Sequence, residues 1–204
     1  MSAFTDLTGL AGLALAAASA CTAAPLSGRT RAVLAILAAA LVLAPLGDLP
    51  VAAYLRGVTG DLSVTTVLLL LRFALGRQFG WGPTDARERL ALQITIAVAA
   101  VFLYPLALGL GPFDPYRPGF GNPWMIGALS LAALAAWRAR MQLVALCIAT
   151  ALLAWALGGY ESENLWDYLL DPLLSVWAMG ALALRSARRL LSKPAALRRP
   201  GSPA

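Results

Sequence analysis

The sequence predicts an all-α fold, a polytopic integral membrane bundle of about seven transmembrane helices with its N terminus outside and its C terminus cytoplasmic. Three observations carry that expectation. Of 204 residues, 60% are hydrophobic and only 13% charged, where a soluble domain would carry about a quarter charged residues. The apolar residues fall in blocks of roughly fifteen to twenty, the length that crosses about 30 Å of hydrocarbon. Between the blocks, arginine-bearing connections alternate with acidic ones.

Residues 7–26, rich in Ala and Gly, form the first span. No Lys or Arg precedes them and Asp6 does, so the block reads as a retained helix and not as a signal peptide. Arg29 and Arg31 mark the face on which the chain turns, and 32–46 crosses back. Residues 47–63 form a loop whose 49–56 portion reads as a short interfacial helix, stopped by Gly57 and Gly60. Asp61 is placed to cap the third span, 62–79, because a carboxylate accepts from the free amides of a first helical turn.

Arg72 lies within that third span. An arginine at a helix centre costs about 2.5–3.5 kcal/mol, but Arg77 is only one turn further on, so the Arg72 side chain is expected to snorkel to the same face. A buried partner is the alternative. The fourth span, 90–110, is expected to bend at Tyr104-Pro105, where an amide donor is missing. A turn rich in Pro and Gly leads to the fifth span, 123–137, closed by Arg138 and Arg140. The sixth, 141–157, ends at the stretch 158–172, GGYESENLWDYLLDP.

The seventh span has a length problem. Between Asp171 and Arg185 there is too little chain to cross, unless the arginine snorkels and Asp171-Pro172 serve as N-cap and first helical residue. That gives a span of 172–191. A single transmembrane domain then covers 1–191, and 192–204 reads as a basic, mobile cytoplasmic tail.

Charge tests the span count. Seven alternating crossings place fourteen of the sixteen basic residues and two of the ten acids on one face, a net +12. The other face keeps Arg56, Arg117 and eight acids, a net −6, and the two add to the formal +6. The positive-inside rule orients the basic face to the cytoplasm. Removing one crossing would scramble the segregation. A net charge of +6 would suggest nucleic acid in a soluble protein, yet no basic stripe or binding motif is present, and no nucleic-acid partner is expected.

There is no histidine, which removes Ser-His-Asp and Cys-His chemistry, imidazole metal sites and His-ligated haem. Cys21 and Cys147 lie singly in apolar blocks and read as small hydrophobes. No metal or cofactor is expected. What remains is one candidate polar site on the outer face. Glu163, Asp167 and Asp171 are spaced to share one side of a helix, with Arg56, Asp61, Asp114 and Arg117 from two other outer loops expected to converge on them. Arg72 is the one intramembrane charge. These groups read either as caps and ion pairs that fix topology or as a pocket for a cation, a cationic group or a polar head group.

Three function classes fit. The first is a non-catalytic inner-membrane scaffold or accessory subunit of an envelope complex, with the bilayer and a membrane or periplasmic protein as partners. Small Ala- and Gly-rich helices suit close packing. The second is a small-solute or lipid transporter, for which acids or broken helices at mid-membrane would be expected. The third is an enzyme acting on lipid or an exported sugar or phosphate at the outer interface, with carboxylates as acid and base and Arg56 or Arg117 clamping an anion. Abundant Ala and a single lysine, Lys193, suggest a GC-rich bacterial genome.

Overall fold

A computed structural model describes residues 3–192 in backbone and 7–191 in side chains. The fold is all-α, with nine α-helices among the described residues. In chain order they are α1 (Ala3–Thr22), α2 (Gly28–Leu43), α3 (Val51–Thr59), α4 (Val64–Phe79), α5 (Ala86–Ala107), α6 (Pro123–Arg138), α7 (Gln142–Ala156), α8 (Leu165–Leu169) and α9 (Pro172–Ser192). Seven are long and fall on the seven expected blocks. The expected basic tail, 192–204, lies outside the described residues beyond Ser192.

Local chemistry explains most of the boundaries. Ser27, Ser63, Asp85, Asn122 and Asn164 begin α2, α4, α5, α6 and α8, each accepting a backbone amide from the first turn. Such caps satisfy amides that a helix start leaves without partners. Asp171 opens α9, accepting from the Leu174 amide at 2.8 Å, as the Asp-Pro dipeptide predicts. Pro105 sits in the last turn of α5, which ends at Ala107. Two expectations need correction. The N-cap of α4 is Ser63 and not Asp61. The loop before α3 contains a two-residue hairpin, β1 (Pro45–Leu46) paired with β2 (Leu49–Pro50), and α3 runs on through Gly57 to stop at Gly60, whose φ of +71° few other residues adopt.

The helices pack with α1 between α2 and α4, α4 against α7, α7 also touching α5, α6 and α8, and α9 lying along α5. The main core joins α5, α7 and α9 through Leu92, Ile96, Leu103, Leu143, Cys147 and Leu174. By contrast, α2 and α6 have no buried residue. Val33, Ile36, Leu37 and Leu41 of α2, Val98 and Val101 of α5, and Leu131 and Leu134 of α6 all face outward.

Contacts between loops show that the long helices alternate in direction. One end gathers Thr8, Arg56, Asp61, Tyr116, Gly159 and Asp171 through long-range bonds. At the other, Arg77 donates to the carbonyls of Thr22, Ala23 and Ala24 where α1 ends, a favourable place for a cation. Glu88 Oε1 there accepts the Leu143 amide at 2.5 Å and so caps α7, whose own N-cap residue supplies no side chain. Only α5, with 22 residues, is both long and apolar enough to cross a bilayer among the described helices. The 16 residues of α2, α4 and α6 make about 24 Å of helix each.

Candidate functional site: a polar cap at one end of the bundle

The expected helical row of Glu163, Asp167 and Asp171 does not form. Asn164 starts α8 only after Glu163, and the helix ends at Leu170, whose φ of −144° is extended. Asp171 precedes Pro172, a position that disfavours helical backbone. The three carboxylates therefore lie in three different settings.

Asp171 is the most enclosed, 4% exposed. Its Oδ2 accepts from the Ser63 amide at 3.0 Å, from the Ser63 hydroxyl at 2.7 Å and from the Thr66 hydroxyl, while Oδ1 accepts the Leu174 amide. One carboxylate thus serves the starts of both α4 and α9. Its partners are neutral hydroxyls and amides, and the positive ends of two helix dipoles add to them. Asp167 accepts from the Tyr116 hydroxyl at 2.8 and 3.0 Å and from Ser162 Oγ at 2.5 Å. Glu163 is exposed, and its contribution is a backbone carbonyl that accepts from Trp155 Nε1 at 2.8 Å.

Asp61 pairs with Arg56 in two-point geometry, Nε to Oδ1 at 2.6 Å and Nη2 to Oδ2 at 2.8 Å. The two side chains are 19% and 22% exposed. Arg56 also reaches Glu161 Oε2 at 3.5 Å, joining the first outer loop to the third. Gly9 of α1 lies beneath the pair, where any Cβ would collide with Asp61 Oδ1. The remaining predicted members do not converge. Asp114 accepts the Tyr116 amide in its own turn at 2.9 Å. Arg117 is exposed, opens the short 3₁₀ turn Arg117–Gly119, and has no acidic partner among the described residues. Arg72 reaches the loop after α4, donating to Thr84 Oγ1 at 3.3 Å.

Neutral polar residues, which charge counting passes over, complete the cap. Tyr160 donates to the Leu62 carbonyl at 2.7 Å, and Tyr168 Oη accepts the Tyr160 amide at 2.9 Å. Buried Asn164 donates to the Tyr116 carbonyl at 2.9 Å and leaves no room for a side chain at Gly119. Trp166 Nε1 donates to the Pro115 carbonyl at 2.8 Å. The sequence carries one signal of these, since all five tyrosines (Tyr54, Tyr104, Tyr116, Tyr160 and Tyr168) lie in or near the loops that hold most of the acids. Burial pushes the Tyr116 hydroxyl up to about 12, with its bond to the Asp167 carboxylate adding to the rise. Burial also raises Tyr160 and Tyr168. All three remain donors at neutral pH.

The fold and this cap define a class: an all-α bundle of seven long helices, knitted at one end by carboxylates, tyrosines and asparagine that bond to one another. No protein-family model, curated protein or solved structure matches the chain.

Proposed function

We propose that the chain is a seven-span integral protein of a bacterial inner membrane, acting without catalysis as a scaffold or accessory subunit of an envelope complex. The acidic cap faces the extracytoplasmic side and the arginine-rich end faces the cytoplasm. Outward-facing Ile, Leu and Val on α2, α5 and α6 suit lipid, whereas in water such faces mark interaction sites or aggregation. Helices of about 24 Å are short for a bilayer core, and local thinning or flanking arginines that snorkel accommodate the difference.

The observation that carries the non-catalytic reading is the set of contacts around Asp171 and Asp167. Each carboxylate already accepts from donors of the chain itself. A general acid or base needs a proton path to substrate, and carboxylates occupied in this way brace loops. The natural partner of such a subunit is another membrane or periplasmic protein.

Two experiments test the reading. Single cysteines replacing Glu161 and Lys193, with Cys21 and Cys147 removed, are labelled in intact cells with an impermeant maleimide. Labelling is expected at 161 only; labelling of both or neither sinks the topology. Purification in mild detergent is expected to yield a stoichiometric protein partner that survives Asp114→Asn and Glu163→Gln. A folded Asp167→Asn protein that had lost turnover of a lipid or sugar phosphate would instead point to the enzyme. Solute flux into proteoliposomes would point to the transporter.

A further inference from the structure

At the opposite end of the bundle, where the first turns of α5 meet the last turns of α9, lies a cavity of about 630 Å³. Arg89 from α5 and Arg185, Arg188 and Arg189 from α9 surround it, Leu184 supplies an apolar wall, and Gln93 stands at its base. Like charges one turn apart on a helix repel, so this gathering costs stability unless an anion offsets it.

Among the described residues, the acids of that face are engaged elsewhere. Of the two acids on that face, Asp85 caps α5 and Glu88 caps α7. Among the described residues, Arg89, Arg185 and Arg188 have no carboxylate within ion-pair distance. Residues 193–204, KPAALRRPGSPA, contain no Asp or Glu.

Gln93 is only 5% exposed, and its Oε1 has no hydrogen-bond partner. That oxygen is closed off from the cavity, so the arginines and the apolar wall of Leu184 define what the cavity can take. The occupant must therefore combine a phosphate-like anion with an apolar portion.

We propose that this cavity binds a phosphate ester, and that its source is the head group of an anionic glycerophospholipid in the adjoining leaflet. The phosphate sits among Arg89, Arg185 and Arg188, and an acyl chain follows Leu184 out along α9. Basic pockets between membrane helices on the cytoplasmic side take such head groups. The inference rests on the membrane reading above for its leaflet, while the binding itself does not depend on orientation.

The test uses the full chain in nanodiscs of phosphatidylcholine with increasing phosphatidylglycerol. Retained lipid is counted by native mass spectrometry and thermal unfolding is followed in parallel. Phosphatidylglycerol is expected to be retained and to raise the melting temperature. The double variant Arg185→Gln, Arg188→Gln is expected to weaken retention on the order of tenfold or more. The same variant should melt no lower than the unaltered protein in pure phosphatidylcholine, because repulsion has been removed, which separates lost binding from lost folding. The control pair Arg29→Gln, Arg31→Gln, elsewhere on the same face, should retain lipid normally.

Equal retention of phosphatidylcholine, or equal loss in both double variants, would overturn the proposal. Stabilisation by soluble glycerol phosphate to the same plateau, with no added effect of lipid, would overturn the lipid as its source. A failed labelling pattern at 161 and 193 would alter the leaflet and leave this binding result standing.

Discussion

The two ends of the bundle handle charge in opposite ways. At the acidic end, Asp61, Asp167 and Asp171 each bond to donors of the chain itself. At the basic end, Arg77 caps α1 through carbonyl groups, while Arg89, Arg185 and Arg188 of the α5–α9 cavity have no carboxylate partner among the described residues. The difference teaches that an excess of acid in a sequence need not mark a binding site, because hydroxyls and amides can absorb it. An excess of arginine has fewer internal answers, since carbonyls are already engaged along helices and acids are scarce. At the acidic end the buried carboxylates are answered within the chain, whereas at the basic end arginine charge is left over among the described residues.

The sharpest way to break this contrast is at Asp171. Replacing it with leucine strands the Ser63 amide, two hydroxyls and the Leu174 amide, and stability should fall by about 3 kcal/mol or more, read by denaturant unfolding in detergent. Asp171→Asn should recover part of that loss. An unchanged midpoint in the leucine variant would show that the acidic end is not held together in this way.

Next comes the Arg56–Asp61 pair. A double-mutant cycle with Arg56→Gln and Asp61→Asn should give a coupling of about 1–2 kcal/mol, above the usual surface pair because the geometry is two-point and mostly shielded. A coupling near zero would class the pair with ordinary surface charges.

Tyr116→Phe should cost about 1 kcal/mol through the lost bond to Asp167. It also bears on alkaline behaviour. The folded hydroxyl holds its proton up to about 12, against 10.0 for an unperturbed tyrosine. The unfolded chain therefore releases this proton first, and the contribution is full below pH 10 and lost as pH rises toward 12. Unfolding midpoints measured across that window should converge for the native protein and Tyr116→Phe.

The smallest effect is expected at Glu163, whose exposed side chain should accept glutamine within about 0.5 kcal/mol. A larger loss would give that carboxylate a role its surroundings do not suggest.

Much of the architecture was legible in the sequence. Arginines at 29, 77, 138 and 185 punctuate apolar blocks, so the seven long helices and their alternation followed from spacing. Asp171-Pro172 announced the start of α9. The same dipeptide should have ruled out a helix running through 163–171, since the residue before a proline resists helical backbone. The regular spacing of the acids and the proline rule thus conflict within one stretch, and the backbone obeys the proline. The choice between Asp61 and Ser63 as the cap of α4 was not legible. Both are good caps, and what decides is tertiary: Arg56 claims the aspartate and Asp171, 108 residues away, claims the serine. The cavity arginines were visible as charges, but their convergence needs the α5–α9 contact, which no local pattern encodes.

The reach of Asp171 back to Ser63 has a temporal consequence. Chains are made from the N terminus at about 5–20 residues per second, so the third long helix emerges several seconds before the group that completes its first turn. Until that group is synthesised, the turn must borrow its partners from water. The last helix to appear is thus the one that locks the earlier ones, and a ribosome stalled before it would leave a half-made bundle that quality-control proteases can recognise.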